Sequence, residues 1–216
     1  MWDIVVRFFQ GGGDFMYFIA LVLVVGLAIA IERYIYLTAT ASNNQKLWKA
    51  IQPLLSAGNF RQAAQTTAKS TSAIGHILNY GLARIQGRGR DDIEKAMEES
   101  LMEVVPKLER RTHYLATFAN LATLLGLLGT VMGLIHAFAA VATINPAEKA
   151  NLLSASISEA MNCTAFGLMT AVPLLFIHAY LQTKTTELID SLEMASVKFL
   201  NSIIERQGEH AAAVTA

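Results

Sequence analysis

Two long apolar runs between Tyr114 and Leu181 constrain this chain more than any other feature of its sequence. The first run holds the uncharged stretch LLGLLGTVMG at 124–133, and the second opens with ISEAMNCTAFGL at 157–168. A transmembrane helix needs about 20 apolar residues, so each run is long enough to cross a bilayer. Both runs carry threonine and glycine where a plain anchor would carry leucine. Hydroxyl groups at mid-bilayer depth in two adjacent helices indicate a polar path through lipid.

The composition agrees with a membrane protein. Of the 216 residues, 53% are apolar and only 16% are charged, against about 25% charged in a soluble domain. A third apolar run, from Phe15 to Leu37, is interrupted only by Glu32-Arg33. The sequence therefore predicts an all-α integral membrane protein with three transmembrane helices and long cytoplasmic helical extensions.

The distribution of basic residues predicts how the chain is threaded. Eleven Lys and Arg lie in 39–113 and three after residue 182, but only Arg7 precedes residue 15 and only Lys149 lies in 145–156. Because basic loops stay in the cytoplasm, we expect a periplasmic N-terminus and a cytoplasmic C-terminus. The predicted segments are a periplasmic interfacial segment (1–14), the first span (15–38), a cytoplasmic helical region (39–113), the second span (114–144), a periplasmic turn (145–156), the third span (157–182), and a cytoplasmic C-terminal helix and tail (183–216).

The polar region between the first two spans has helical periodicity. Segments near 44–56, 60–69 and 73–86 read as helices, separated by Gly58-Asn59 and by Ser70–Ser72. From residue 91 the pattern predicts a helix almost unbroken to Ile144, with Pro106 as a point where it can kink. A helix of about 50 residues would be about 75 Å long and would project beyond the bilayer.

Small residues form one face of the second span. Gly126, Gly129 and Gly133 share that face with Ala122, Ala137 and Ala140, and Gly167 belongs to a similar stripe in the third span. Such stripes let helices approach closely in lipid, either as ordinary packing or around a guest helix. Pro173 lies inside the third span, where neighbouring helices can satisfy the carbonyl that it frees.

Four threonines are candidates for lining the path. Thr123 and Thr130 lie seven residues apart beside the glycine stripe, and Thr164 and Thr170 lie in the third span. The alternative for each is a hydrogen bond to a carbonyl of its own helix.

Two ionisable residues lie near the outer ends of the spans. Glu159 is either an intramembrane functional acid or an acid at the start of a helix, favoured there by the helix dipole. His136 is either a group that titrates near neutral pH or a hydrogen-bonded interface residue. Neither span carries a carboxylate at mid-membrane depth, so a proton path would need a titrating group from another chain.

Other classes of function find little support in the sequence. A neutral net charge argues against nucleic acid as a partner. There is no HExxH, phosphate loop or GxSxG motif, and the single Cys163 excludes an intrachain disulfide and a cysteine-cluster metal site. We therefore predict no enzyme activity, no cofactor and no metal.

The motif LGLLGTVMG at 125–133, followed by ISEAMNCTAFGL at 157–168 and AVP at 171–173, resembles the MotA/TolQ/ExbB proton channel family. The length and the three-span layout resemble its ExbB and TolQ members. The resemblance implies a homopentamer that encloses a dimer of a single-helix ExbD- or TolR-like partner, whose aspartate supplies the missing acid. It also implies that Thr130 and Thr164 are pore threonines and that Glu159 begins the third helix.

The same resemblance implies a function in the bacterial inner membrane. Family members use ion flow to drive an envelope-spanning effector such as TonB or TolA. Nutrient uptake, Tol-Pal constriction and motility all use relatives, and threonine oxygens suit either a proton or a sodium path. Two other hypotheses stay open: a membrane scaffold with no conduction of its own, and a transporter with its own substrate site.

Overall fold

The structure is a computed structural model that describes residues 8–9, 11–85, 89–142, 145 and 147–215, with side chains described to Ile203. These residues contain no strand, so the prediction of an all-α protein is confirmed for them. The helices are α1 (Phe15–Ser56), α2 (Phe60–Ala68), α3 (Ala73–Ala83), α4 (Arg90–Glu109), α5 (Thr112–Val141) and α6 (Lys149–Thr215).

The described residues contain three stretches long and apolar enough to cross a membrane, in α1, α5 and α6. Only 28%, 17% and 33% of their most apolar windows is buried within the chain. Most of the apolar surface of these windows is therefore exposed. Exposed apolar patches of this size mark contacts with a membrane or with other proteins. The chain is a multi-pass membrane protein.

The chain divides into two compact units. The first unit comprises residues 1–33 and 111–181, and the second comprises residues 34–110 and 182–216. The apolar stretches of α5 and α6 belong to the first unit, and the charged helices belong to the second.

The first unit is held together by narrow stripes of buried residues. On α1 the stripe is Met16, Ile19, Val22, Gly26 and Ala30, at the three- and four-residue spacing of one helix face. At Gly26 an added Cβ would lie 2.9 Å from Leu174 Cδ2 of α6, so the missing side chain is what lets α6 pack against α1. The remaining faces of these helices are exposed and apolar.

The second unit has an ordinary apolar core. Its largest fully buried side chains are Phe199, Leu37, Ile51, Ile77, Leu78, Ile93, Met97 and Leu108. Caps define its short helices: Asn59 Oδ1 accepts the N–H of Gln62, and Ser72 Oγ accepts the N–H of Gly75. The predicted helices near 60–69 and 73–86 are confirmed as Phe60–Ala68 and Ala73–Ala83.

The long helix predicted from residue 91 to Ile144 is wrong at one point. The chain leaves helical geometry at Arg110 and Arg111, and Arg111 has a φ of 67°, which an L-residue adopts only at a cost. Arg111 Nη1 lies 3.1 Å from Glu32 Oε2 of α1. Pro106 lies inside α4, three residues before that helix ends.

Two further helix limits differ from the prediction. The first helix runs from Phe15 to Ser56, past the expected end of the first span at residue 38. The last begins at Lys149, so residues 149–156, predicted as part of a turn, are helical. Residues 38–52 and 149–156 contain no glycine or proline. The backbone therefore continues as a helix outside the apolar runs in both places. The limits of the membrane spans within these helices stay predictions.

The core of the second unit yields a stability prediction. Phe199 is fully buried, so Phe199→Ala should lower the free energy of unfolding of this unit by about 3–5 kcal/mol. Met194 lies on the same helix and is 57% exposed, so Met194→Ala should change it by about 0.5 kcal/mol at most. Hydrogen exchange of the α3 amides in the full-length chain measures the change in both variants. Equal protection of these amides in the two variants would mean that Phe199 does not belong to the core of this unit.

Candidate functional site

The backbones of α5 and α6 touch at one pair of glycines. A Cβ added to Gly126 would lie 3.2 Å from the Cα atoms of both Gly167 and Thr164. A Cβ added to Gly167 would lie 2.7 Å from the carbonyl oxygen of Ala122. Backbone atoms cannot rotate away as a side chain can, so only glycine fits at this crossing.

The other two glycines of the small stripe on α5 also face α6. Gly129 lies against the side chain of Cys163, and a Cβ added to Gly133 would lie 2.9 Å from the Cβ of Ala160. Within the chain, therefore, all three glycines of α5 pack against α6.

A hydroxyl group crosses the same contact. Thr164 Oγ1 on α6 donates a hydrogen bond to the carbonyl oxygen of Gly126 on α5, at 2.8 Å. In an α-helix that carbonyl points toward residue 130. The Thr164 hydroxyl therefore lies within about one turn of Thr130 along α5.

The two threonines of α5 bond to their own helix. Thr123 Oγ1 donates to the carbonyl of Ala119 at 3.1 Å, and Thr130 Oγ1 donates to that of Leu127 at 2.6 Å. Thr123 is exposed in the chain, and Thr130 and Thr164 are partly exposed.

These bonds determine what the three hydroxyls can do. Each hydroxyl has one hydrogen and two acceptor lone pairs, and in all three the hydrogen is used by a carbonyl. Each hydroxyl oxygen can still accept a hydrogen bond or contact a cation, but it has no hydrogen left to donate to an anion. Between Arg111 and Glu148 the sequence has no Asp, Glu, Lys or Arg. No such side chain on α5 therefore competes with the threonine oxygens for a cation.

Thr170 departs from the prediction that it lines a path. It is 1% exposed, and its Oγ1 has no hydrogen-bond partner in the part of the chain that is described. It lies on the same buried side of α6 as Ala171 and Leu174.

Glu159 lies next to the N-terminal glycines. Its carboxylate is in contact distance of the position that a Cβ would take on Gly13, which has a φ of 71°. One turn along α6, Asn162 Nδ2 donates to the carbonyl of Gly11 at 3.3 Å. The glycine run therefore packs against the start of the apolar part of α6, in addition to ending the N-terminal segment.

Aromatic contacts hold this turn in place. The rings of Phe8 and Phe9 meet that of Phe166 edge-on, with centroids 6.4 and 5.8 Å apart. Sequence reasoning missed the packing, although three consecutive glycines beside aromatic residues were a visible signal of a close approach. Residues 1–7 and 10 of the predicted interfacial segment lie outside the described residues.

The other predicted site residues lie apart from the threonines. His136 is exposed near the end of α5, and Pro173 is exposed inside α6, which continues past it. Among the described residues no group of three or more His, Cys, Asp or Glu is placed to hold a metal ion.

The part of the chain that matches known proteins includes α5 and the threonines of the candidate site. Residues 69–194 match the MotA/TolQ/ExbB proton channel family. Over 192 residues the chain is 27% identical to a putative biopolymer transport protein ExbB homolog of Methanothermobacter thermautotrophicus, covering 88% of this chain and 67% of that protein.

Two bacterial relatives match over shorter stretches. The chain is 38% identical over 81 residues to the Tol-Pal system protein TolQ of Haemophilus influenzae, which covers 37% of this chain and 34% of that protein. It is 30% identical over 124 residues to the biopolymer transport protein ExbB of Salmonella typhimurium, covering 54% of this chain and 50% of that protein. The match thus spans half or less of these two bacterial relatives.

The helix crossing yields a prediction. Gly167→Val should lower the free energy of unfolding of the chain in detergent by about 2–3 kcal/mol, because the new side chain would overlap backbone atoms of α5. Leu168→Val, one residue on and 49% exposed, should change it by about 0.5 kcal/mol or less. Thermal unfolding measures both variants, and a Gly167→Val chain as stable as wild type would mean that the helices do not cross here.

Proposed function

Because the chain belongs to the MotA/TolQ/ExbB proton channel family, we propose that it is the membrane subunit of an ion channel that converts ion flow into mechanical work. Its path follows the oxygens of Thr123, Thr130 and Thr164. The hydrogen bond from Thr164 to Gly126 carries this proposal, since it places a hydroxyl of one span against the turn of the other span that leads to Thr130, in a region without charge.

The chemistry of the path calls for a second chain. Threonine oxygens solvate a passing cation but do not hold a proton at neutral pH. We propose that five copies of this chain surround a dimer of an ExbD- or TolR-like single-helix protein, and that the acid of this partner takes up and releases the ion. Glu159 and His136, toward the outer ends of the two spans, would meet the ion before it reaches the threonines.

The relatives suggest the process that the channel drives. Their names refer to biopolymer transport and to the Tol-Pal system, so we propose a place in the bacterial inner membrane and a TonB- or TolA-like effector. The N-terminus would be periplasmic and the C-terminus cytoplasmic, as the distribution of basic residues predicts.

The exposed apolar faces fit an assembly of several chains. Large side chains on α5 and α6, among them Leu124, Leu127, Val131, Met169 and Phe176, are 48–78% exposed in the single chain. In a membrane such faces meet acyl chains or neighbouring helices. A ring of copies would leave the outermost faces in lipid and turn the threonine side inward.

The threonines yield the functional prediction. Thr130→Ala and Thr164→Val should each reduce proton flux into vesicles that hold this chain and its partner by about tenfold or more, because an oxygen that meets a desolvated charge is worth about 1.5–3 kcal/mol. Assembly should persist, since a hydrogen bond between membrane helices is worth only about 0.6 kcal/mol on average.

The control separates conduction from packing. Thr117 is a matched control, because it also lies on α5 and also bonds a carbonyl of its own helix, that of His113. It lies 13 residues before Thr130 and outside the proposed path, so Thr117→Val should leave flux unchanged. If Thr130→Ala and Thr164→Val conduct as wild type while Gly167→Val prevents assembly, the chain is a scaffold and the proposed path is wrong.

A further inference from the structure

The second unit contains an open groove between α4 and α6, with a volume of about 230 Å³. One face of each helix lines it, at the three- and four-residue spacing that puts side chains on one side of a helix. On α4 these residues are Glu94, Met97, Glu98 and Leu101, and on α6 they run at the same spacing from Glu193 to Leu200. None of them belongs to the threonine path. Two parallel rows of side chains form the kind of groove that accepts a third helix.

The floor of the groove is apolar and fixed by the core. Met97 is 2% exposed and Leu200 is 7% exposed. A Cβ added to Gly81 of α3 would lie 2.8 Å from Met97 Sδ and 2.9 Å from Cε1 of Phe199. The missing side chain of Gly81 therefore lets α4 and α6 rest on α3 together, and the groove is formed before any partner arrives.

An apolar side chain on the wall of the groove is exposed. Val197 is 56% exposed. Among the described residues of this unit after Tyr36, the other large apolar side chains that are exposed are Met102 and Met194, which also lie on α4 and α6. Val197 and the floor beneath it thus offer an apolar surface that a partner can cover.

The rim of the groove is acidic. Glu94, Glu98 and Glu193 lie on it, and no Lys, Arg or His lines the groove. Glu94 pairs with Arg90 at 3.7 Å, whereas Glu98 and Glu193 have no ion pair within the part of the chain whose side chains are described. Since α4 as a whole carries seven Asp and Glu against three Lys and Arg, the groove favours a partner with positive charge.

A second copy of this chain matches the charge but not the apolar surface. Residues 39–90 hold seven Lys and Arg and no Asp or Glu. The apolar side chains of the helices in that stretch, however, are used in their own core: Ile51 and Ile77 are fully buried, and Leu55 and Ile74 are 3% and 4% exposed. A helix that fills the groove must bring a free apolar stripe, so it comes from another protein.

We propose that this groove docks a basic amphipathic helix of another protein. The apolar stripe of that helix packs on Met97, Leu101 and Val197, and its flanking Lys and Arg pair with Glu98 and Glu193. Such helices bind grooves through apolar anchors at the spacing of one helix face. With the second unit in the cytoplasm, as the basic residues predict, the partner is a cytoplasmic protein or the cytoplasmic part of a membrane protein.

A designed peptide tests the proposal on the full-length chain in nanodiscs of phosphatidylcholine. The peptide is a fluorescent helix of about 18 residues made of Leu, Ala and Lys, with Leu at the spacing of one helix face. Fluorescence anisotropy measures its binding, and empty nanodiscs give the background from lipid. A twin peptide with Glu in place of Lys should bind at least tenfold more weakly, because its charges would face those of the rim.

Two variants test the charge and the apolar surface separately. Glu98→Gln/Glu193→Gln should weaken binding of the Lys peptide about fivefold, since each exposed ion pair is worth about twofold. Val197→Thr keeps the shape of the side chain and should also weaken binding about fivefold, because it places a hydroxyl against the apolar stripe. The matched control is Glu103→Gln/Glu109→Gln, which removes two charges of α4 outside the groove lining and should bind as wild type.

The proposal is overturned if either groove variant binds the Lys peptide as wild type does, or if the Glu twin binds as tightly as the Lys peptide. A photo-crosslinking arm tests the occupant. With p-benzoylphenylalanine in place of Val197, the chain should crosslink to the Lys peptide. A crosslink to a second copy of the chain instead would identify the groove as an interface between copies and would also overturn the proposal.

Discussion

The contact between Gly126 and Gly167 is the constraint on which the membrane part of this protein depends. Lipid tails are as apolar as leucine, so helices in a bilayer associate through packing and hydrogen bonds more than through the hydrophobic effect. Here two missing side chains let backbones touch, and this closeness lets the Thr164 hydroxyl reach the carbonyl of Gly126. A larger residue at either glycine would separate the helices and break that bond.

The same bond connects packing with function. Once the hydroxyl hydrogens of Thr123, Thr130 and Thr164 are bound to carbonyls, these side chains present oxygen lone pairs at their partly or fully exposed side. Such a surface suits a cation in transit but has no group that changes protonation near neutral pH. In the proposed function, therefore, the group that takes up and releases the proton belongs to a second protein.

The sequence predicted the elements whose cause is local. Apolar length indicated the membrane helices, the spacing of glycines indicated the packing face of α5, and the breaks at Gly58-Asn59 and at residues 70–72 marked the starts of α2 and α3. The break at Arg111 was not predictable, because helix-forming residues continue through it and its ion pair with Glu32 joins positions 79 residues apart. The packing of Gly13 against Glu159 and the buried position of Thr170 also depend on which helices meet, and periodicity within one helix does not reveal that.

The most direct test is an electron cryo-microscopy structure of this chain in a lipid nanodisc, assembled with the single-helix protein that accompanies it. The central claim is that the oxygens of Thr130 and Thr164 border an enclosed space between copies of the chain. The account predicts that both side chains face a central lumen and lie within contact of a partner helix that carries an acid at their depth. Threonines turned toward the acyl chains, with no lumen between the copies, would contradict it.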